Sequence, residues 1–319
     1  MNRKLNDSTA IVAHYYSTPD VQAMADVVGD SLDLAQWITE NKPKRVVHAS
    51  VRFMAETAKI LNPEAEVILP DGGSSCSLVE QTDVTELRAW DAVHREKARM
   101  QHQDLVHVAY INSSAEHKAI ADIIVTSRIV DDVIRELHAS YKYVIFSPDR
   151  NMGEYLNYQY GYNMPVWKAV CDVHDKFKAD ELDKAMRAWT DGPKFVLAHP
   201  ESPLPILKKA DYVGSTHGML NWIREYPNSV GTIFVATEDG LLYNMREERP
   251  ELDIRQAPIY SGCQCNSCPF MKLNTVKKVL QASVGIGTKI DYLTKKQMEA
   301  ARRPIERMLE FQRTGRVNV

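Results

Sequence analysis

The sequence predicts an α/β protein built from three pseudo-threefold-related α/β/α sandwich units with small parallel sheets around a central site. Three observations carry this expectation. Short apolar stretches alternate with helix-patterned ones, which means parallel strands joined by right-handed crossovers. A threefold internal repeat runs through that alternation. One cysteine falls at an equivalent position in each repeat, Cys76, Cys171 and Cys268, separated by 95 and 97 residues.

Each repeat opens with a strand, over residues 12–16, 108–112 and 197–201. An Ala-Asp stretch follows and ends in a small polar turn, at residues 25–31, 121–127 and 210–216. The step from His14 to Ala25, from Tyr110 to Ala121 and from His199 to Ala210 is constant at 11 residues. In the first repeat a helix over 19–25 lies between the two strands. Second strands are expected at 45–48, 143–146 and 232–236, followed by helices beginning near 53–56, 151–154 and 241–246. A further short strand then precedes each cysteine. Charged helices over 82–100 and 178–189 join the repeats, and helices over 275–282 and 294–311 close the chain. Pro304 lies inside the last of these and is expected to break or kink it. The units so defined are 1–104, 105–193 and 194–274, with the closing helices in 275–319 packing near the first.

Composition excludes several functions. The chain has 319 residues, 44% hydrophobic and 25% charged, with a net charge of −3. It therefore offers no basic footprint for nucleic acid or an anionic membrane. No apolar run of about 18 residues is present, and residues 1–9 have no signal-like apolar core. Five cysteines do not suggest a disulfide framework, and a reducing cytoplasm fits them best.

Three of those cysteines, Cys263, Cys265 and Cys268, crowd the stretch 262–272, whose Gly262 and Pro269 argue for a loop. Crowded thiols suit Zn, Cu(I) or an iron–sulfur cluster, and the stretch alone does not choose among them. The repeat supplies further sets at strand ends: His14, Tyr110 and His199; Tyr16, Asn112 and Glu201; Ser31, Ser127 and Thr216. In open α/β sheets ligands bind at the carboxyl ends of strands, so these sets point to one shared site. Each residue alone has a plainer reading. A histidine can be a satisfied core residue, a hydroxyl can cap the local backbone, and a tyrosine can simply pack. The run Tyr155, Tyr158, Tyr160 and Tyr162 reads as surface packing.

Several motifs together resemble the quinolinate synthases. They are His14-Tyr15-Tyr16, Gly29-Asp30-Ser31-Leu32, Phe53-Met54-Ala55-Glu56-Thr57-Ala58-Lys59-Ile60-Leu61, Tyr110-Ile111-Asn112-Ser113-Ser114-Ala115-Glu116, His199-Pro200-Glu201, Gly214-Ser215-Thr216 and Cys268-Pro269-Phe270-Met271. The resemblance runs from about residue 11 to 308. It implies three α/β/α units around a [4Fe-4S] cluster held by Cys76, Cys171 and Cys268, with Cys263 and Cys265 as bystanders. It also implies condensation of iminoaspartate with dihydroxyacetone phosphate to quinolinate, a precursor of NAD. An aspartate-oxidising enzyme would supply the first substrate. Tyr16, Glu201 and His14 become candidates for proton transfer. Ser31, Tyr110, Asn112, Ser127, His174, His199, Ser215 and Thr216 become candidates for substrate binding.

The chain departs from the family pattern at Ser74-Ser75 and Ala169, at Arg128 and at His217. Arg128 and His217 each follow a hydroxyl of the threefold set, and are expected at the pocket rim as added cations. Two other readings remain at this point: a related enzyme acting on another small carboxylate, and a non-enzymatic iron–sulfur sensor. A zinc knuckle is disfavoured by the distant Cys76 and Cys171, and a dinucleotide-binding dehydrogenase by the lack of a G-x-G-x-x-G after a strand.

Overall fold

The computed structural model describes residues 9–140, 142–189, 192–260 and 266–319. Among these the strands are β1 Thr9–His14, β2 Val27–Gly29, β3 Arg45–Ala49, β4 Glu66–Leu69, β5 Leu105–Tyr110, β6 Ile123–Val125, β7 Tyr143–Ser147, β8 Lys194–Ala198, β9 Tyr212–Val213, β10 Thr232–Ala236, β11 Asp253–Gln256 and β12 Thr288–Lys289. They form three small sheets flanked by helices, ordered β12-β4-β3-β1-β2, β6-β5-β7 and β11-β10-β8-β9. All pairings are parallel except β12 on β4.

The repeat in the sequence is a repeat of register. Val12 pairs with Val27, Val108 with Ile123 and Leu197 with Tyr212, a step of 15 residues each time. A side chain at a given distance from the first strand therefore reaches the same corner of each sheet. The opening strands end at His14, Tyr110 and Ala198, short of the expected 16, 112 and 201. There the backbone turns back on itself, Ser17 N to His14 O (2.9 Å), Ser113 N to Ile111 O (2.7 Å) and Ser202 N to His199 O (2.9 Å). Tyr16, Asn112 and Glu201 consequently sit on loops.

Two further expectations are corrected. In the second unit the strand before the cysteine is reduced to isolated bridges, Phe146 with Val166 and Asp149 with Ala169. Pro165 has no N–H to give a ladder, and only its carbonyl takes part, accepting from Phe146 N at 2.9 Å. Pro304 does not break the closing helix, which runs from Lys295 to Thr314 as one element. Its apolar face buries Ala301, Pro304, Ile305, Met308 and Phe311. Burying side chains of this size contributes about 1.5–3 kcal/mol each, enough to offset the roughly 3 kcal/mol cost of an interior proline.

One continuous core joins the first two sheets, from Val12 and Val46 to Val108 and Phe146, and takes in Ile290, Leu293, Ile305, Met308 and Phe311 from the end of the chain. The third sheet has a core on each face, because alternate residues of a strand point opposite ways. Leu197, Ile233 and Val235 belong to one, and Val196, Ala198, Phe234 and Ala236 to the other. No helix among the described residues is long and apolar enough to cross a membrane.

Candidate active site

The carboxyl ends of the strands in all three units face one cavity of about 130 Å³. Every member of the four threefold sets lines it: His14, Tyr110 and His199; Tyr16, Asn112 and Glu201; Ser31, Ser127 and Thr216; Cys76, Cys171 and Cys268. His174 lines it too. Ser215 does not. Its hydroxyl caps helix Thr216–Glu225 by accepting from Gly218 N at 3.1 Å.

Asp30 and Thr126, the residues equivalent to Ser215, also serve the local backbone. Asp30 caps helix Ser31–Asn41 through the amides of Leu32 and Asp33, and Thr126 accepts from Arg128 N at 3.3 Å. The plainer reading of a turn residue as a cap thus holds at this position, although Asp30 and Thr126 line the cavity as well. Another set, Ser17, Ser113 and Ser202, is fully buried, and two of its hydroxyls bond strand ends at Ala49 O and Ala236 O. Recurrence of a polar residue therefore does not by itself mark the site.

A run of polar contacts along the cavity crosses the units. Tyr110 Oη donates to Glu201 Oε1 at 2.7 Å. Glu201 Oε2 lies 3.3 Å from His174 Nδ1 without meeting hydrogen-bond geometry. His174 Nε2 lies 3.0 Å from Thr237 Oγ1, and Thr237 Oγ1 lies 2.9 Å from Tyr16 Oη. His174 stacks on His199, with ring centroids 4.7 Å apart, and His199 Nε2 meets Ser127 Oγ at 3.1 Å. Asn151 fixes the Glu201 backbone by donating to its carbonyl at 3.0 Å. Lys118, fully buried, holds the Tyr110 turn from behind by donating to Ile111 O and Ser113 O.

Burial sets the protonation states. It pushes the Tyr16 and Tyr110 hydroxyls well above their ordinary range, with Glu201 adding to the effect. The same burial pulls His14 down to about 4 and His199 to about 3, so both are neutral at pH 7. Burial would raise the Glu201 carboxyl, but His174, His199 and the Tyr110 hydroxyl more than offset it and keep the carboxylate ionised. An ionised carboxylate thus shares the cavity with the neutral phenols of Tyr16 and Tyr110 and the neutral imidazoles of His14 and His199, a division suited to proton transfer.

The three cysteines are free thiols, one from each unit. Burial pushes all three up, Cys268 to about 11. Backbone amides pull the other way: Leu78 and Val79 at Cys76, His174 at Cys171, Met271 and Phe270 at Cys268. Cys76 and Cys268 each sit at the start of a short helix, Ser77–Glu80 and Pro269–Lys272. Three half-buried thiols with amides aimed at them and no disulfide partner form a donor set that fits an iron–sulfur cluster. Cys171, His174 and Glu201 also form a group whose ligand atoms lie within 4.8 Å of one another, open to a single ion. Cys263 and Cys265 lie outside the described residues.

The departures fall mostly away from the cavity wall. Ser75 lines it, whereas Ser74 and Ala169 are buried behind. Arg128 is not at the rim as a free cation. Its Nη2 is held by Asp30 Oδ2 at 2.6 Å and Asp33 Oδ1 at 2.8 Å. His217 faces the same Asp33, 3.7 Å away. Neither residue lines the cavity. Sequence reasoning also missed Thr237, Glu238 and Lys272, which carry no signature of spacing or type.

Comparison with known proteins places these observations in a family. The model described as "Quinolinate synthetase A protein" matches residues 1–310. The quinolinate synthase of Cyanothece sp. is 38% identical over 312 residues, 98% of this chain and 92% of its own. That of Chloroherpeton thalassium is 38% identical over the same shares. That of Cyanophora paradoxa is 37% identical over 302 residues, 94% of this chain and 87% of its own.

Proposed function

The chain belongs to the quinolinate synthetase A family, and from that premise we propose that it condenses iminoaspartate with dihydroxyacetone phosphate to quinolinate for NAD biosynthesis. Atom balance requires that phosphate and two waters leave. The observation that carries the reading is the convergence of three thiols, the Glu201 carboxylate and several hydroxyl and imidazole groups from all three units on one cavity. Its volume of about 130 Å³ approaches the roughly 150 Å³ cavity known to hold a benzene ring. That suits a six-membered ring.

Glu201 is the candidate general base, since it is the ionised carboxylate nearest the phenols and imidazoles. Tyr16 is the candidate acid, kept neutral by burial and joined to His174 through Thr237. His14, neutral and against the Tyr16 ring at 4.5 Å, orients that phenol. Ser31, Ser127, Thr216, Tyr110, Asn112, His174 and His199 offer donors for two carboxylates and a phosphate. Ser31 and Thr216 also begin helices Ser31–Asn41 and Thr216–Glu225, whose amino ends favour anions. Ser215 acts through Thr216, by capping its helix.

Cys76, Cys171 and Cys268 would hold a [4Fe-4S] cluster, which when bound supplies an iron without a protein ligand as a Lewis acid. A reducing cytoplasm would keep those thiols free, and an aspartate-oxidising enzyme would supply iminoaspartate. The test is an anaerobic assay for quinolinate from the two substrates, using iron- and sulfide-loaded protein beside a Cys76→Ala control. Fully loaded protein that forms no quinolinate would overturn the proposal and favour a different carboxylate substrate.

A further inference from the structure

Lys272 lies four residues after Cys268, belongs to none of the threefold sets and does not line the cavity. Its ammonium nevertheless reaches across units. Nζ donates to Tyr16 O of the first unit at 3.0 Å, and lies 2.9 Å from Glu238 Oε1 and 3.0 Å from Asp239 Oδ1 of the third. Glu238, fully buried, is the pivot of this bridge. Its Oε1 also accepts from the Cys268 amide at 3.0 Å, and its Oε2 from the Gly240 amide at 2.6 Å. A continuous run of contacts thus leads from the Cys268 backbone, through Glu238 and Lys272, to the Tyr16 carbonyl.

The third unit grips the Tyr16 turn at other points as well. The Tyr16 hydroxyl meets Thr237 Oγ1 at 2.9 Å. At Gly240 a Cβ would stand 2.7 Å from Tyr15 O and 2.9 Å from Tyr16 Cα, so helix Asp239–Glu248 begins against the bare backbone of that turn. Charge balance explains only part of the Lys272 geometry. The neighbouring Asp239 already balances the ammonium, and a donor aimed at an uncharged carbonyl in another unit adds nothing to that balance. Its effect is to fix where the Tyr16 backbone lies relative to the Cys268 segment.

We propose that Lys272 is a positioning residue that places Tyr16 in the cavity by tying its carbonyl, through Glu238, to the segment carrying Cys268. The inference rests on the reading of Tyr16 as a catalytic acid. It requires that removing the Lys272 ammonium harm the reaction through Tyr16 and through nothing else, which separates it from an ion pair that merely stabilises the third unit.

A double-mutant cycle tests this. Lys272→Met, Tyr16→Phe and the pair are prepared anaerobically, and kcat, KM, iron and sulfide content and thermal unfolding are measured for each. Lys272→Met is expected to lower kcat about 10–100-fold at nearly constant KM and normal iron content, as a misplacement near 1 Å does. In the Tyr16→Phe background the same change should cost less than about threefold, because both substitutions remove one contribution. Lys272→Arg, which keeps a donor for the carbonyl, should recover most of the rate. Equal losses from Lys272→Met in both backgrounds would overturn the proposal, as would a loss confined to KM or to iron content. Tyr16→Phe with nearly wild-type kcat would instead overturn the reading of Tyr16, and the proposal with it. Should Lys272→Met not fold, Lys272→Gln, which retains one donor direction, passes through the same cycle with the same criteria.

Discussion

Gly240→Ala separates the position of Tyr16 from its chemistry, because it leaves every cavity-lining atom in the molecule. The added methyl would stand 2.7 Å from Tyr15 O, 2.8 Å from Glu238 Oε2 and 2.9 Å from Tyr16 Cα. Carbon contacts become comfortable at about 3.5 Å, so the turn must recede by roughly 0.6–0.8 Å. Glu238 can rotate its carboxylate, at the expense of its 2.6 Å bond to Gly240 N. Tyr15 O and Tyr16 Cα are backbone and must move together. Overpacking of this kind costs about 1–3 kcal/mol, while alanine in place of glycine in a helix returns about 0.8–1 kcal/mol. The net loss is about 2 kcal/mol at most, and the protein should fold. Catalysis should suffer more than stability: a shift of this size, carried to the Tyr16 hydroxyl, is expected to lower kcat about 10–100-fold. Anaerobic quinolinate assays, with iron content and a melting curve for the same preparation, decide the matter. A kcat within twofold of wild type would refute the reasoning, since either the turn yields without carrying Tyr16 or the placement of Tyr16 is immaterial.

Other outcomes follow from the same geometry. Glu201→Gln should retain its contact with Tyr110 and its iron content, yet lose about 10²–10⁴-fold in kcat; activity within a few-fold of wild type would leave Glu201 only as an anchor for Tyr110. Cys76→Ala, Cys171→Ala and Cys268→Ala should each abolish the iron–sulfur absorbance of anaerobically prepared protein, and an iron-replete Cys76→Ala protein would sink the ligand assignment. Arg128→Ala leaves Asp30 and Asp33 facing each other without their cation, and should cost about 1–3 kcal/mol in urea unfolding, with KM changed less than about threefold; a tenfold rise in KM at unchanged stability would return Arg128 to the substrate site. Burial pulls His48 down from 6.5 to about 3, so the unfolded chain binds this proton first as the pH falls. The contribution is absent above pH 6.5 and becomes a loss of about 1.4 kcal/mol per pH unit between there and the folded value. His48→Gln should therefore flatten the acid limb of the stability curve, and an unchanged slope would contradict that.

The cavity was legible because strand register carries sequence spacing into space. A constant step of 15 residues between paired strands brings His14, Tyr110 and His199, and the residues counted from them, to equivalent places. Ser215 shares that period one residue earlier, where it caps its helix, while Asp30 and Thr126 at the equivalent positions also line the cavity. Arg128 and His217 were misread because sequence adjacency says nothing about direction. His217 follows Thr216 inside helix Thr216–Glu225, where successive residues project about 100° apart and the neighbour of a lining residue turns away, while Arg128, in the turn before helix Val130–Ala139, is drawn to Asp30 and Asp33. Thr237 escaped notice because its equivalents after β3 and β7 are Ser50 and Pro148, and no shared type marks the position. Lys272 matters through a contact with Tyr16, 256 positions away in the chain, and Glu238 through contacts with Cys268 and Lys272, which no local pattern records. Pro304 was judged on propensity alone, and tertiary burial prevailed.

The position of the chain's end in the core has a consequence for synthesis. Strand β12 completes the edge of the first sheet on β4, and Ile290, Leu293, Ile305, Met308 and Phe311 fill the core shared by the first two sheets. The first two sheets thus wait for residues 288–311, whereas the third sheet's cores, which also take in Phe177 and Leu182, need nothing after Ile259 and can close sooner. At about 5–20 residues per second, a nascent chain carries an unfinished apolar surface on its first half for roughly 10–40 s. During that interval the exposed faces of β1 to β7 are clients for chaperones and sites for misassociation. Loss of the final helix would leave the third unit able to fold beside two sheets that cannot close.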